Sequence, residues 1–248
     1  MTGKVYLVGA GPGDPKLITL RAVELIKKAD VVLYDRLVSK KILAMIPKRA
    51  VSIYVGRAVG DDTTHQENTN ELMVKYAQLK KSVVRLKGGD PIIFGRGGEE
   101  AEFLKSFNVK YEIIPGITSG IGSATYAGIP LTHRQFASSV VFVTGHEDPE
   151  KKTEVVKWKK LAKSVDTIVI MMGLSRIEVI SRKLIEGGMD KNMPVAVIQN
   201  GTTSKQKMIK GTISNIANKI KRNQITPPTN IIIGRVVDLS DIIGWKND

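Results

Sequence analysis

The sequence predicts an α/β protein composed of two α/β domains. Short apolar runs alternate with longer stretches of helical pattern, and this alternation is typical of βαβ units built on a mostly parallel sheet. A length of 248 residues is enough for two modest domains. The pattern changes after residues 115–120, so we expect domains at 1–115 and 116–248 with a ligand cleft between them.

Five strands are predicted in the first domain, and helical stretches separate them. Each strand is a short run, mostly apolar, that ends at or near turn residues. In chain order the elements are strand 5–8, helix 17–29, strand 31–34, helix 39–46, strand 51–55, helix 65–79, strand 82–86, helix 98–107 and strand 111–114.

The second domain continues the alternation with less regular spacing. A further short strand at 208–210 is expected not to run parallel to the others. In chain order the remaining elements are helix 117–126, strand 140–144, helix 154–162, strand 167–171, helix 175–186, strand 195–199, helix 213–221 and strand 231–234.

The charge of the chain is strongly positive, because 38 Lys and Arg oppose 24 Asp and Glu to give +14. Three interpretations are open: a lysine-rich solvated surface, an anionic small substrate drawn into a basic cleft, and nucleic-acid binding. Aromatic residues make up only 5%, which argues against base-stacking platforms. The surface interpretation is favoured, with an anionic substrate second.

Cysteine and membrane signals are both missing from the sequence. Without cysteine there is no disulfide framework and no thiolate ligand or nucleophile. No run approaches the length of a membrane span, and the first residues show no signal-peptide pattern. A cytoplasmic enzyme fits this composition.

Residues 85–100, RLKGGDPIIFGRGGEE, carry the strongest functional signal. A strand-like run breaks at Gly88, Gly89, Asp90 and Pro91 before a helical pattern resumes near Gly97. Adjacent glycines accept positive φ and let a ligand approach the main chain, and the proline ends the strand. Open α/β sheets bind ligands at such breaks. A ligand-binding turn is therefore predicted here.

Residues 8–14, VGAGPGD, begin like a dinucleotide-binding turn and then depart from it. The third position of that fingerprint is Asp14, whose charge is wrong for a pyrophosphate, and Pro12 lacks an N–H that could hold one. An NAD site is therefore excluded. A glycine-lined site for a cationic or neutral ligand and a plain βα turn of small residues both remain open.

Five motifs occur together: VGAGPGDP, YDRLV, GGDPIIFGRGGEE, PGITSG and GIPLTHR. In their order, and over residues 5–237, the chain resembles the tetrapyrrole methylases that use S-adenosylmethionine. The resemblance implies a class III methyltransferase fold of two α/β domains with the active site between them. The longer motif forms YDRLVS, FGRGGEE and PLTHR favour the members of that family that act on uroporphyrinogen III.

The resemblance implies a reaction. Two methyl groups pass from two S-adenosylmethionine molecules to carbons 2 and 7 of uroporphyrinogen III, giving precorrin-2 by way of precorrin-1 and leaving S-adenosylhomocysteine. The resemblance implies tetrapyrrole synthesis of the sirohaem or cobalamin type, and the branches to sirohaem, cobalamin, haem d1 and coenzyme F430 all stay open. The substrate's acetate and propionate groups would give the positive charge of the chain a role in substrate binding.

The resemblance also implies a homodimer, and we expect no metal, no nucleic-acid partner and no membrane association. A methylase for a later precorrin or another acceptor, and a basic nucleic-acid-binding protein, are the alternatives.

The catalytic candidates come from the family motifs. Asp35, in YDRLV, is implied as the proton acceptor, and a helix cap or an ion pair with Arg36 is the alternative role for it. Where relatives carry a lysine, this chain has Arg57, which grips carboxylates but is a poor proton donor. We expect Arg57 to act electrostatically and Arg36 to contact substrate.

The resemblance also implies a set of cofactor-binding residues and two further substrate contacts. His133 and Arg134 could bind substrate carboxylates, although a lone histidine is more often structural. The three histidines show no metal-binding spacing, so no metal site is expected. The implied S-adenosylmethionine contacts are Pro12, Gly88, Gly89, Asp90, Ile93, Thr118, Ser119, Met172, Gly201 and Thr229.

Overall fold

The computed structural model describes residues 3–56, 64–146 and 155–245, with the backbone alone for residues 64–68. The chain separates into two compact units, Met1–Ser119 and Gly120–Asp248. Each unit is an α/β structure around its own sheet. The predicted α/β class is confirmed, and within the described residues no helix is long and apolar enough to cross a membrane.

The first unit alternates strands and helices along the chain. In order these are β1 (Lys4–Gly9), α1 (Leu20–Lys28), β2 (Val31–Tyr34), α2 (Lys40–Leu43), β3 (Val51–Tyr54), α3 (Thr64–Gln78), β4 (Ser82–Lys87), α4 (Gly97–Ser106) and β5 (Lys110–Ile114).

The sheet of the first unit has the order β3-β2-β4-β1-β5, and each of its strand pairs is parallel. Successive side chains alternate between its faces. Val5, Leu7 and Val83 pack with α3 and α4 on one face, whereas Val8 and Val84 pack with α1 and α2 on the other. Buried apolar side chains on both faces are what a parallel sheet requires.

The second unit contains a sheet of mixed direction. Its elements are α5 (Ser119–Tyr126), β6 (Val140–Thr144), α6 (Trp158–Ser164), β7 (Thr167–Met171), α7 (Ile177–Glu186), β8 (Pro194–Gln199), β9 (Lys207–Thr212), α8 (Ile216–Arg222), β10 (Thr229–Ile233) and α9 (Ser240–Ile243).

The second sheet has the order β6-β7-β10-β8-β9. Only β6 and β7 are parallel, and β10 runs antiparallel to both β7 and β8. The strand predicted at 208–210 is confirmed as part of β9, which pairs antiparallel with β8. Helices α6, α7 and α8 cover one face, and α5 packs against the other.

The start of α1 differs from the sequence prediction, and the reason is local. The helix predicted from residue 17 begins at Leu20, because Pro15–Leu17 forms a separate 3₁₀ turn. The side chain of Asp14 accepts a hydrogen bond from the Lys16 amide in that turn. Thr19 then caps α1 through a 3.2 Å hydrogen bond from the amide of Ala22.

Candidate active site

The carboxyl ends of the parallel strands define one edge of the first sheet, here called the carboxyl edge. Because these strands run in one direction, the loops that follow β1, β2, β4 and β5 begin at this same edge. They carry the predicted residues Pro12, Asp35, Arg36, Gly88, Gly89, Asp90, Ile93, Thr118 and Ser119. The topology thus brings these widely separated motifs to one edge.

Two glycines join the loops after β1 and β4. The amide of Gly89 donates to the carbonyl of Gly11 at 2.7 Å, and the amide of Gly11 donates back at 3.1 Å. Both residues have positive φ, +76° for Gly11 and +71° for Gly89, where a side chain would be strained. Pro12, next to Gly11, follows directly in this loop. The two glycine motifs of the sequence therefore form one piece of structure.

A third loop packs against this pair through its main chain. A Cβ added to Gly9 would lie 2.6 Å from the amide nitrogen of Gly116 and 2.7 Å from the carbonyl oxygen of Gly89. A Cβ at Gly116 would overlap that same carbonyl. Only glycine permits such an approach, and the main chain of Gly89 also lies close to that of Thr118 and Ser119. Thr118 is buried and directly precedes α5, which begins at Ser119.

Asp90 holds two of these loops in place. Its Oδ1 accepts hydrogen bonds from the amides of Ile92 (2.8 Å) and Ile93 (3.0 Å), and its Oδ2 accepts one from the amide of Gly116 (3.0 Å). The carboxylate is thus engaged by three backbone donors, which makes its direct role structural. Ile92, Ile93 and Phe94 project from this loop, each at least 40% exposed. Their apolar side chains are available to a ligand.

Asp35 begins the loop after β2 and forms an ion pair with β4. Its Oδ1 lies 2.6 Å from Nη2 of Arg85. The sequence offered an ion pair with Arg36 as an alternative, and the structure gives Arg85 as the partner instead. Arg36 is exposed. About a quarter of the Asp35 side chain is exposed, so the carboxylate lies at the boundary between core and solvent.

Behind Asp35 lies a buried group of charges, here called the charge network: Asp35, Arg85, Glu100 and Lys87. Oε1 of Glu100 lies 3.1 Å from Nε of Arg85 and 2.8 Å from Nζ of Lys87. Glu100 is fully buried, and Arg85 and Lys87 are about 5% exposed. Two cations and two carboxylates are thus packed between β4, α4 and the end of β2.

The environment shifts the pKa values of both cations. Burial acts to lower the pKa of the Arg85 guanidinium, but the carboxylates of Asp35 and Glu100 outweigh burial and raise it. For Lys87 burial dominates, and the nearby Arg85 charge lowers the pKa of the ammonium further despite Glu100 and Asp35. The two carboxylates therefore favour the charged form of Arg85.

The sequence prediction missed Arg85, Lys87 and Glu100, although one signal for them was present. A central strand of a parallel sheet is normally apolar throughout. In β4, Arg85 and Lys87 interrupt that pattern on one face, where Val83 also points. Charges at such positions need buried partners, and α4 supplies one in Glu100.

Arg57 lies outside the described residues, which resume with the backbone of α3 at residue 64. Its predicted electrostatic role stays a prediction.

The remaining cofactor candidates meet at an edge of the second sheet. Register places Thr229 opposite Gln199 and Asn230 opposite Met171. Met172 and Gly201 come just after β7 and β8, so with Thr229 they share one sheet edge. Met172 is half exposed with φ +56°. Non-glycine residues in this strained conformation concentrate at functional sites.

His133 and Arg134 lie in a turn that leads into β6. The amides of His133 and Ala137 each bond the other's carbonyl, and the His133 ring stacks on Phe136 at 5.0 Å. Nδ1 of His133 accepts a hydrogen bond from the amide of Gln135, and Arg134 is exposed. The histidine thus has a local structural role, and Arg134 is available for contacts.

Two further features of the described residues bear on the site. No group of three or more His, Asp and Glu side chains within them is arranged to hold a metal ion. A hollow of about 460 Å³ in the second unit is lined by apolar residues, among them Ile121, Phe142 and Trp245. It contains none of the predicted site residues.

Comparison with known proteins agrees with these motifs. The sequence model of the family of tetrapyrrole (corrin/porphyrin) methylases matches residues 4–217 of this chain. The chain is 52% identical over 243 residues to a uroporphyrinogen-III C-methyltransferase of Bacillus subtilis, covering 98% of this chain and 94% of that protein. It is 50% identical over 246 residues to a siroheme synthase of Nitrosomonas europaea, covering 99% of this chain and 51% of that protein. The chain thus spans about half of that synthase.

Solved structures give the same result. The uroporphyrin-III C-methyl transferase from Thermus thermophilus complexed with S-adenyl homocysteine has a TM-score of 0.82 at 38% identity, covering 96% of this chain and 100% of that one. A cobalt precorrin-4 methyltransferase has a TM-score of 0.85 at 30% identity, covering 95% of this chain and 96% of that one.

Proposed function

The chain belongs to the family of tetrapyrrole (corrin/porphyrin) methylases, and we propose that it methylates uroporphyrinogen III at carbons 2 and 7 with S-adenosylmethionine. The product is precorrin-2, formed by way of precorrin-1, for the synthesis of sirohaem or cobalamin. High identity to uroporphyrinogen-III C-methyltransferases over nearly the full length of each supports this acceptor. The observation that carries the chemistry is the Asp35 carboxylate, which lies about a quarter exposed at the carboxyl edge.

The glycine loops fit S-adenosylmethionine in chemical character. Gly89 and Gly116 are partly exposed and carry no side chain, so a ligand can approach the main chain there, and Ile93 offers apolar surface. Thr118 and Ser119 supply hydroxyl groups beside them. In the proposed site Met172, Gly201 and Thr229 complete the cofactor contacts.

S-adenosylmethionine, when bound, supplies a methyl group activated by its sulfonium charge. A pyrrole carbon of the substrate donates the electron pair of the new C–C bond, and the pair of the broken S–C bond stays on sulfur. The protein's task is first to hold donor and acceptor in line, because orientation removes much of the entropic barrier. Asp35 then accepts the proton that the alkylated ring loses.

The substrate's carboxylates give the basic residues a proposed role. Arg36 and Arg134 are exposed arginines, and Arg57 is a third arginine of the proposed site. Guanidinium groups bind carboxylates with two parallel hydrogen bonds. We assign these three residues and His133 to substrate binding or electrostatic stabilisation, and we place the protein in the cytoplasm as a homodimer.

One experiment tests the acceptor. The purified protein is incubated with S-adenosylmethionine and enzymatically prepared uroporphyrinogen III, and the products are analysed by mass spectrometry. A product carrying two added methyl groups is expected. An unchanged substrate from a protein that binds S-adenosylmethionine would overturn the assignment.

A second acceptor is a specific alternative, because the cobalt precorrin-4 methyltransferase shares the fold closely. The same assay with later precorrins separates the two. The site residues have a different test: S-adenosylmethionine affinity should fall in variants of Gly89 or Met172 and stay unchanged in variants of Arg134.

A further inference from the structure

We propose that Arg85 is a positioning residue for Asp35, and that Glu100 in turn fixes Arg85. The proposal rests on the proposed function, in which Asp35 accepts the proton. Arg85 and Glu100 are buried behind Asp35 and act through it, without touching the substrate themselves.

Strand register brings Arg85 to Asp35. Leu33 of β2 is the register partner of Arg85 in β4. Side chains two residues apart on a strand share a face, so Asp35 is the diagonal neighbour of Arg85. The amide of Asp35 also donates to the carbonyl of Leu86 at 3.2 Å. The backbone hydrogen bond therefore fixes the position of the Asp35 main chain, and the Arg85 guanidinium fixes the orientation of the Asp35 carboxylate.

The guanidinium connects two carboxylates through different nitrogen atoms. Nη2 of Arg85 lies 2.6 Å from Oδ1 of Asp35, and Nε lies 3.1 Å from Oε1 of Glu100. Because this group is planar, fixing Nε on Glu100 also fixes the direction of Nη2. Lys87 shares Oε1 of Glu100, and α4 holds that side chain in the core. Glu100 is thus the fixed point of the arrangement.

The two oxygens of Asp35 have different surroundings. Oδ1 is occupied by Arg85, whereas Oδ2 accepts no hydrogen bond from any residue in the part of the chain that the structure describes. Asp35 is also the most exposed member of the charge network. An aspartate held by one oxygen presents the other in a fixed direction, as a proton acceptor requires.

Stability alone does not account for this network. Transferring charges out of water costs free energy, and the attraction within a buried ion pair often does no more than offset that cost. Apolar residues of similar volume can leave the protein equally stable or more stable. The network nevertheless lies at the carboxyl edge, where parallel sheets bind ligands. Perturbed ionisable groups concentrate at such sites. A positioning role explains both why the network is charged and why it lies at the carboxyl edge.

The test is a double-mutant cycle on turnover with Arg85→Met, Asp35→Asn and the double variant. Arg85→Met keeps most of the side-chain volume and should lower kcat about tenfold or more, with S-adenosylmethionine Kd within about twofold. In the Asp35→Asn background the same change should have almost no further effect, because Arg85 acts through Asp35. Equal losses in both backgrounds would overturn the proposal.

Two comparison variants sharpen the cycle. Arg21→Met removes an arginine that pairs with Glu24 and Glu112 on the surface of the same unit, and its kcat should equal that of the wild type. Arg85→Lys should restore only part of the activity, because one ammonium cannot reproduce the two directed bonds of the fork. Full restoration would mean that charge without orientation is enough.

A crystal structure of Arg85→Met tests the positioning directly and needs no substrate. The Asp35 carboxylate should rotate from its wild-type orientation or become disordered, and an unchanged carboxylate would contradict the proposal. The two hypotheses then fail separately. A wild-type protein inactive on uroporphyrinogen III counts against the proposed function, whereas an unmoved Asp35 counts against Arg85.

Discussion

The amide of Gly116 donates a 3.0 Å hydrogen bond to Oδ2 of Asp90, and this bond ties the loop after β5 to the loop after β4. The other carboxylate oxygen binds the amides of Ile92 and Ile93 within its own loop. Asp90 therefore determines the shape of both loops at once. Any ligand bound by these loops depends on Asp90 indirectly.

Asp90→Asn should destabilise the protein by about 1.5–3 kcal/mol, because its amide group can no longer accept hydrogen bonds on both sides. S-adenosylmethionine affinity should fall with it. Urea unfolding and calorimetric titration measure the two effects. Asp190→Asn is a matched control. The Asp190 side chain accepts a single hydrogen bond, from the amide of Asn192, and the one oxygen of asparagine can still accept it. Equal stability of the two variants would contradict this role for Asp90.

Gly116→Ala should weaken S-adenosylmethionine binding roughly tenfold, a free-energy change of about 1.4 kcal/mol. The added methyl group overlaps the carbonyl of Gly89, so the loops must move apart. Gly98→Ala provides the control for stability. A Cβ there meets no atom within 4 Å, and alanine in α4 should be neutral or stabilising by up to about 1 kcal/mol. If Gly116→Ala and Gly98→Ala have the same unfolding free energy, the close approach of Gly116 to Gly89 does not matter for stability.

Asp35→Asn should lower kcat by about 10²–10⁴ while S-adenosylmethionine Kd stays within about twofold. Asparagine has nearly the shape of aspartate but does not accept the proton. Single-turnover methylation and equilibrium binding measure the two quantities separately. Parallel loss of both would assign Asp35 a structural role.

Glu100→Gln should cost about 3–5 kcal/mol of unfolding free energy, because Arg85 and Lys87 would share a buried site with one carboxylate fewer. Glu112→Gln is the matched comparison on the surface. Glu112 also faces two cations, Lys4 and Arg21, but solvent screens them, and the loss should stay below about 1 kcal/mol. Chemical denaturation of both variants provides the measurement. A small effect for Glu100 would show that the network relaxes easily.

Asp166 gives a prediction for the dependence of stability on pH. Its Oδ2 accepts hydrogen bonds from the hydroxyl and amide groups of Ser139 and Ser138, and these bonds hold the pKa of the carboxyl below its ordinary value of 3.8. A lowered pKa in the folded state means that the stabilisation is complete above 3.8. It disappears as the pH falls from 3.8 through the folded-state pKa.

Asp166→Asn should therefore be less stable than the wild type at pH 7, and the difference should shrink near pH 3. Unfolding free energies of the two proteins at both pH values give this difference directly. A difference that does not change with pH would show that the charge of Asp166 is irrelevant.

Local patterns allowed much of the fold to be predicted. The helix expected at 98–107 is α4, and the non-parallel strand expected at 208–210 lies within β9. Glycine and proline mark chain reversals by their own conformational limits, so both glycine turns could be recognised from their residues alone.

Pairing across strands is the part that sequence did not reveal. The partner of Asp35 depends on the register of β2 against β4, which is set by packing of the whole sheet. A carboxylate therefore paired with Arg85 instead of its neighbour Arg36. Likewise, no spacing rule links Glu100 to Lys87, because the contact forms only when α4 folds onto the sheet.

The position of β1 has a consequence for synthesis of the chain. Its two sheet neighbours, β4 and β5, both come after β2 and β3 in sequence, so β1 finds no strand partner until most of the first unit has been made. Pairing over such a separation is slow. A nascent chain that stops before residue 110 leaves one side of β1 unpaired, and unpaired strands promote aggregation. The chain's first strand is thus among the last to be secured, and premature termination should yield insoluble fragments.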